Sequence, residues 1–460
     1  MRVAFLCLAA LAQFALNAAA EPISIPLYKR TEDGDIYKAA GKALDNGVLA
    51  GKVKIGSPAQ EFVFAFDTTT GYSWVRGSNC KTKNCRGRCT YYSTKSKDAS
   101  STGKKFSVNY GDSCVDTHIY TDTFEFAGLK VTDFPFGGAY RMSGFGTGFD
   151  GYLGLGRSVD FNDTKVSSSS AGSLSKRDTL SDSAFVSTAF QQGSGISSSQ
   201  FGMYTTSTSS GFDQSGSTSS STTSSTVSTN STTAGTTSGA STSTTTTTTT
   251  TSTVASGGFG TFTKRTTTES DDEEEVAGYL VIGGVDTSVI EGDVSYIRLA
   301  DDPDASAKNW DLCIRHASFG SLKLEQKEKA VASVSTSTSV IAMPPKQADE
   351  FHAKFGGYYD ESTKVYNIKC SEAKKLPALK MTLEDHIVEL PAKYWTSVVD
   401  ADRDCCATKI TRGSSKRDWV LGTSLTNAFY TTFNPDDETI GLAIKKGHSS
   451  DGLRVYKKSH

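Results

Sequence analysis

From Val48 onward the apolar residues fall at alternate positions: Val53 and Ile55, then Phe62, Phe64 and Phe66. A spacing of two sets one face of an extended strand toward a core and the other toward water. Gly56, Ser57 and Pro58 separate the two runs with turn chemistry, so the segment predicts a β-hairpin. Strand-like runs bounded by Gly, Asp and Ser recur at 106–110, 121–131 and 152–156, and resume from Gly278 to about Ile444. Helical spacing is scarce and no solenoid period is present, so the expected class is all-β.

One stretch breaks the pattern. Between Thr205 and Ser270 the chain is almost entirely Ser, Thr and Gly, with an unbroken threonine run from Thr244 to Thr251. Such a segment has too little apolar surface to offset the entropy of ordering it, and is expected to be a disordered, O-glycosylated insert. Sequons stand at Asn162 and Asn230. The acidic run Asp271 to Glu275 reads as a solvated charge block rather than a calcium site. The expected layout is a signal peptide at 1–20, a short propeptide-like segment at 21–47, a first β-rich half at 48–204, the insert at 205–275, a second half at 276–450 and a tail at 451–460.

Composition narrows the setting. The apolar fraction is 37%, a deficit the Ser/Thr tract largely explains, and the net charge of -2 gives no electrostatic case for nucleic acid or an anionic membrane. Met1-Arg2, the apolar stretch Val3 to Leu16 and the small residues Ala18 to Ala20 form a secretory leader. No later segment is apolar enough to span a bilayer, and no lipid-anchor tail is expected at the C-terminus. The expectation is a secreted, extracellular monomer without cofactor or metal, with cell-wall association as an alternative. Of nine cysteines, Cys7 lies in the leader, which leaves eight. An even number in an oxidising compartment predicts disulfides. A zinc site at Cys80, Cys85 and Cys89 lacks a fourth ligand at a familiar spacing.

The candidate chemistry lies in ordered pieces. The first half carries Phe66-Asp67-Thr68-Thr69-Thr70, Trp74-Val75, Val108-Asn109-Tyr110-Gly111-Asp112 and Tyr152-Leu153-Gly154-Leu155-Gly156. The second carries Gly283-Gly284-Val285, Ser335-Thr336-Ser337-Thr338-Ser339, Trp419-Val420-Leu421-Gly422 and Ile440-Gly441-Leu442. In this order they resemble the pepsin family of aspartic peptidases, over roughly 48–204 and 276–446. The resemblance implies a bilobal pepsin-like acid-protease fold, with two β-barrel-like lobes around a peptide cleft. It makes Tyr110 the tyrosine of a hairpin flap and Trp74 the tryptophan behind it. It places Thr68, Thr69, Thr336, Ser337 and Thr338 on the substrate-binding loops. It also implies the disulfides Cys80–Cys85 and Cys370 with Cys405 or Cys406, with Cys89–Cys114 and Cys313 with the leftover cysteine as guesses for the rest.

The family's reaction needs two carboxylates about 3 Å apart sharing one proton, so that one activates water while the other protonates the carbonyl. Asp67 keeps the first position, but the second is Ser335. A serine hydroxyl, with a pKa of about 15 like that of water, cannot be the charged member of such a pair. Both loop glycines are replaced as well, by Thr69 and Ser337, and Thr423 stands where the family commonly has another Asp. A lone Asp67 is expected to titrate near about 4. Asp286 follows Gly283-Gly284-Val285, a surface connection in the family, and is set aside as a substitute. A Ser335 nucleophile lacks a base, because the six histidines lie outside these motifs. The short prosegment fits a protein with no activity to restrain. Dibasic pairs at Lys29-Arg30, Lys176-Arg177, Lys264-Arg265 and Lys416-Arg417 are candidate processing sites. The leading expectation is a non-catalytic homologue that binds a peptide or protein. The alternatives are an active or weakly active acid endopeptidase and an O-glycosylated wall or matrix protein.

Overall fold

The computed structural model describes residues 27–28, 36–44, 47–111, 113–157, 183–206, 276–301, 309–361 and 365–458. The leader, both sequons, the Ser/Thr tract and three of the four dibasic pairs lie outside them. The fold is mostly β, as the alternation requires, with large sheets in two lobes.

The alternating aromatics build the first lobe. Strand Gln60–Asp67 pairs antiparallel with Leu49–Ile55, Ala65 opposite Ala50. Phe62, Phe64 and Phe66 share one face and are buried. Phe64 meets Phe124 edge-on at 6.1 Å and Phe66 meets Phe126 at 5.6 Å, both from the long strand Cys114–Phe126. Burying one such side chain contributes about 1.5–3 kcal/mol, so this face anchors the strand that ends at Asp67.

Each lobe then places one loop by the same device. Gln60–Asp67 runs parallel to Gly151–Gly154, with Asp67 opposite Gly154. In the second lobe Val331–Val334 runs parallel to Trp419–Leu421, with Val334 opposite Leu421. The loop that follows each first strand packs on a motif glycine. A Cβ on Gly156 would lie 2.3 Å from the Thr70 backbone, and one on Gly422 would lie 2.4 Å from the carbonyls of Thr338 and Val340. Only glycine permits that approach.

Strands from both halves join in one sheet between the lobes. Phe201–Thr205 pairs antiparallel with both Gly278–Ile282 and Tyr430–Asn434. Phe201 stacks on Phe433 at 5.0 Å, and Trp310 packs on Phe433 at 5.1 Å while its indole N–H donates to Leu155 O at 2.9 Å. Thr205 lies opposite Gly278, so the chain leaves for the Ser/Thr tract and returns from it at the end of one hairpin.

Two strands lie outside the two expected β-rich halves. Strand Tyr37–Ala43 lies inside the propeptide-like segment 21–47, yet it pairs with Gly278–Ile282 and Leu49–Ile55, and Ala39 and Ala40 are buried. The sheet thus takes in residues before Val48. Its small, weakly alternating residues hid the strand. The tail also contains a strand: Arg454–Lys457 pairs with His386–Leu390.

The disulfides are Cys80–Cys85 and Cys370–Cys406, so Cys406 rather than Cys405 bonds Cys370. The guessed Cys89–Cys114 bond is absent. The Cys89 amide donates to Asp150 Oδ1 at 3.2 Å, whereas Cys114 opens the returning flap strand with its Sγ 3.2 Å from Ser143 Oγ. Cys313 does not bond Cys405 either.

Candidate active site

The two loops meet through a reciprocal pair of threonines. The Thr68 amide donates to Thr336 Oγ1 at 3.0 Å, and the Thr336 amide donates to Thr68 Oγ1 at 3.1 Å. Each hydroxyl then donates across the lobes, Thr68 to Val334 O at 3.1 Å and Thr336 to Phe66 O at 2.6 Å. All four groups are buried, so a lost partner leaves a desolvated donor or acceptor. Thr68→Val is expected to lower unfolding stability by about 2 kcal/mol in urea titrations. A loss below about 0.5 kcal/mol would show the linkage to be dispensable.

This linkage sets Asp67 and Ser335 in equivalent places, one residue before each threonine. Asp67 is fully buried. Its Oδ1 accepts the Thr69 amide at 2.8 Å, and its Oδ2 accepts the hydroxyls of Thr70 and Tyr110, each at 3.1 Å. None of these partners is acidic. Ser335 Oγ lies 2.7 Å from Thr69 Oγ1 and 3.1 Å from Ser337 Oγ, and Thr69 Oγ1 lies 2.7 Å from Ser337 Oγ. Three hydroxyls thus close a triangle across the lobes, and the Thr69 hydroxyl also bears on the Asp67 carboxyl. The side chains that replaced the two loop glycines now fasten the loops together. Thr338 holds its loop through its carbonyl, which accepts the Thr423 amide at 2.7 Å.

Asp67 is not the ordinary carboxyl expected from its lack of an acidic partner. Burial pushes its pKa up to about 6, against the smaller downward pull of hydrogen bonds from Thr69, Thr70 and Tyr110. Counting charges in the sequence could not reveal this, because the cause is a cover contributed by other elements. Tyr110 is one of the groups packed against the carboxyl. Its ring packs on Phe145 at 5.7 Å and Tyr152 at 5.3 Å, and its hydroxyl accepts the Trp74 indole N–H at 3.1 Å. Sequence reasoning gave no role to Thr70 or Tyr152, although both stand inside quoted motifs. Tyr152 stacks on Trp74 at 4.9 Å.

The other candidates fall elsewhere. Asp286 forms an ion pair with Lys38 beneath the inter-lobe sheet, and its amide donates to Tyr430 OH at 3.0 Å. His352 stacks on Tyr366, His386 pairs with Asp385 and His448 with Asp451. No histidine among the described residues hydrogen-bonds Ser335, so no base is in place to activate it. Among the described residues no group of three His, Cys, Asp or Glu side chains is arranged to hold a metal, and no helix is long and apolar enough to cross a membrane.

Two β lobes that each present a loop to a shared cleft, tied by reciprocal threonines, define the aspartyl protease class. The chain matches the eukaryotic aspartyl protease family over residues 49–259 and 266–445, and it belongs to that family. It is similar to pregnancy-associated glycoprotein 1 of Bos taurus, at 23% identity over 86% of this chain and 81% of that one. Plasmepsin I of Plasmodium falciparum is 23% identical over 87% of this chain and 70% of its own. Gastricsin of Rattus norvegicus is 21% identical over 85% and 80%.

Proposed function

We propose that this chain is a secreted, non-catalytic aspartyl protease homologue that binds a peptide or protein segment in its cleft. The reading rests above all on one observation: Asp67 has no acidic hydrogen-bond partner, and a serine occupies the facing position. Peptide hydrolysis by this family needs a base to draw a proton from water and an acid to protonate the carbonyl, both at once. Asp67 can supply either, but not both. The hydroxyl triangle adds a second obstacle, since Thr69 Oγ1 bridges toward Ser335 where water would have to stand. Binding is supported by what the site keeps: the flap tyrosine, the tryptophan behind it and the threonine linkage that sets the lobes.

Purified protein incubated with denatured casein at about pH 4, where family chemistry operates, is expected to give no cleavage above that of Asp67→Ala. Cleavage by the wild type that vanishes in Asp67→Ala would establish a working acid endopeptidase and overturn the proposal.

A further inference from the structure

The second loop rises from a patch of sheet whose two faces differ. Strands Val331–Val334, Trp419–Leu421, Ile341–Met343 and Ile410–Arg412 set Val334, Leu421, Ile341 and Ile410 side by side, and all four are buried in the core. One position nearer the loop, the same strands continue to Ser335, Gly422, Val340 and Lys409. Backbone bonds carry this row across the sheet. The Ser335 amide donates to Leu421 O at 2.9 Å, the Gly422 amide to Val340 O at 2.9 Å and the Ile341 amide to Lys409 O at 2.8 Å.

Successive residues of a strand point to opposite faces, so this second row turns away from the core. It faces the side on which the Ser335 hydroxyl meets Thr69 of the other lobe, which is the cleft. The row opens outward: Ser335 and Gly422 are buried, whereas Val340 and Lys409 are half-buried. Lys409 therefore stands on the cleft wall three strand spacings from Ser335, about 14 Å along the sheet.

Its ammonium has neither a hydrogen bond nor an ion pair among the described residues. Other shielded cations are matched. Lys38 pairs with Asp286, Arg88 with Asp150 and Lys393 with Asp451, while Lys445 donates to Thr205 O and Asn427 O. Burial holds the Lys409 pKa below the ordinary lysine range, and no neighbouring charge counters it. A half-buried lysine without an acceptor lays its stem along the wall and keeps its charged end in the open cleft.

Building on the reading of the chain as a cleft-binding protein, we propose that Lys409 receives a carboxylate of the bound peptide, so that the cleft selects an acidic segment. The loop beside it agrees in charge. Residues 335–339 are all Ser or Thr, so no acid of that loop competes for the ammonium or repels an incoming carboxylate. Asp67 lies on the other lobe, and burial favours its neutral form in acid. A carboxylate on Lys409 would gain a charge-assisted hydrogen bond in a site partly shielded from water, where such a bond is stronger than at an open surface.

Fluorescence anisotropy with rhodamine-labelled octapeptide pools tests this at about pH 5.5 and low salt, where glutamate is ionised. Two C-terminally amidated pools differ only in carrying two Glu or two Gln residues, and a third is the Gln pool with a free C-terminal carboxylate. Wild type is expected to bind the Glu pool about tenfold more tightly than the amidated Gln pool. The preference should vanish in Lys409→Met, persist in Lys409→Arg and shrink in high salt. A third pool that binds like the Glu pool places the contact at the peptide end, and one that binds like the amidated Gln pool places it at a side chain; both support the assignment. Lys323→Met removes an exposed lysine from strand Leu322–Leu324 and should leave the preference intact. An equal loss there would mean general charge attraction and overturn the assignment. Lys409→Met gives up no internal hydrogen bond, so its melting temperature should stay within about 4 °C of wild type. A larger drop would mean that the ammonium has a partner inside the protein, and would overturn it too. Equal wild-type binding of all three pools overturns the assignment and leaves the cleft-binding reading standing. Binding of none rejects that reading and the assignment with it.

Discussion

The triple variant Ser335→Asp, Ser337→Gly, Thr69→Gly is expected to cleave denatured casein in acid, at least about 10²-fold faster than wild type. The scaffold for the reaction is already assembled. The threonine linkage holds the two loops with four hydrogen bonds of 2.6 to 3.1 Å, and it depends on none of the three substituted side chains. An aspartate at 335 faces Asp67 from the equivalent place on the second loop. Like charges at that distance cannot both ionise, so the pair would share a proton and regain acid and base together. Ser335→Asp alone should recover far less, because Thr69 Oγ1, 2.7 Å from Ser335 Oγ and 2.7 Å from Ser337 Oγ, still fills the space between the loops. Removing both intruding side chains also breaks the hydroxyl triangle, so circular dichroism and a melting curve should accompany the assay. A triple variant that is folded yet inert would mean the lobes no longer present their loops in register for hydrolysis.

Much of this arrangement was legible in the chain. Phe62, Phe64 and Phe66 announced the strand that delivers Asp67, because a period of two is a direct imprint of a half-buried strand. Ser335 could be singled out because the surrounding motif survives, and it stands one residue before the paired threonine, as Asp67 does. Strand Tyr37–Ala43 was not legible. Its Ala and Gly residues give little hydrophobic contrast, and its burial comes from two neighbouring strands that only the tertiary fold supplies. The Asp67 titration was missed for a related reason: nearby charge is visible in a sequence, but the burial of the carboxyl emerges only with the fold. The hydroxyl triangle was half visible. Thr69 and Ser337 were recognised as intruders on glycine positions, and their mutual bonding emerged only with the lobes placed.

Asp67 should also leave a signature on global stability, with a sign opposite to that of most carboxylates. Its folded pKa of about 6 lies above its ordinary value of 3.8. The stability it contributes is therefore fully present below about pH 3.8 and is lost as pH rises through about 6. The upper bound on that loss is about 3 kcal/mol, from roughly two pKa units at 1.36 kcal/mol each. Asp67→Asn removes the titration, so the wild-type curve should fall relative to the variant across this window and run parallel to it outside. The difference between the two curves is the needed quantity because His352 acts in the opposite sense. Burial lowers its pKa to about 4 from 6.5, so its contribution is lost as pH falls. Thermal or urea unfolding of both proteins from about pH 3.5 to about pH 7.5 measures the difference. A flat difference would mean that Asp67 meets water in the native state.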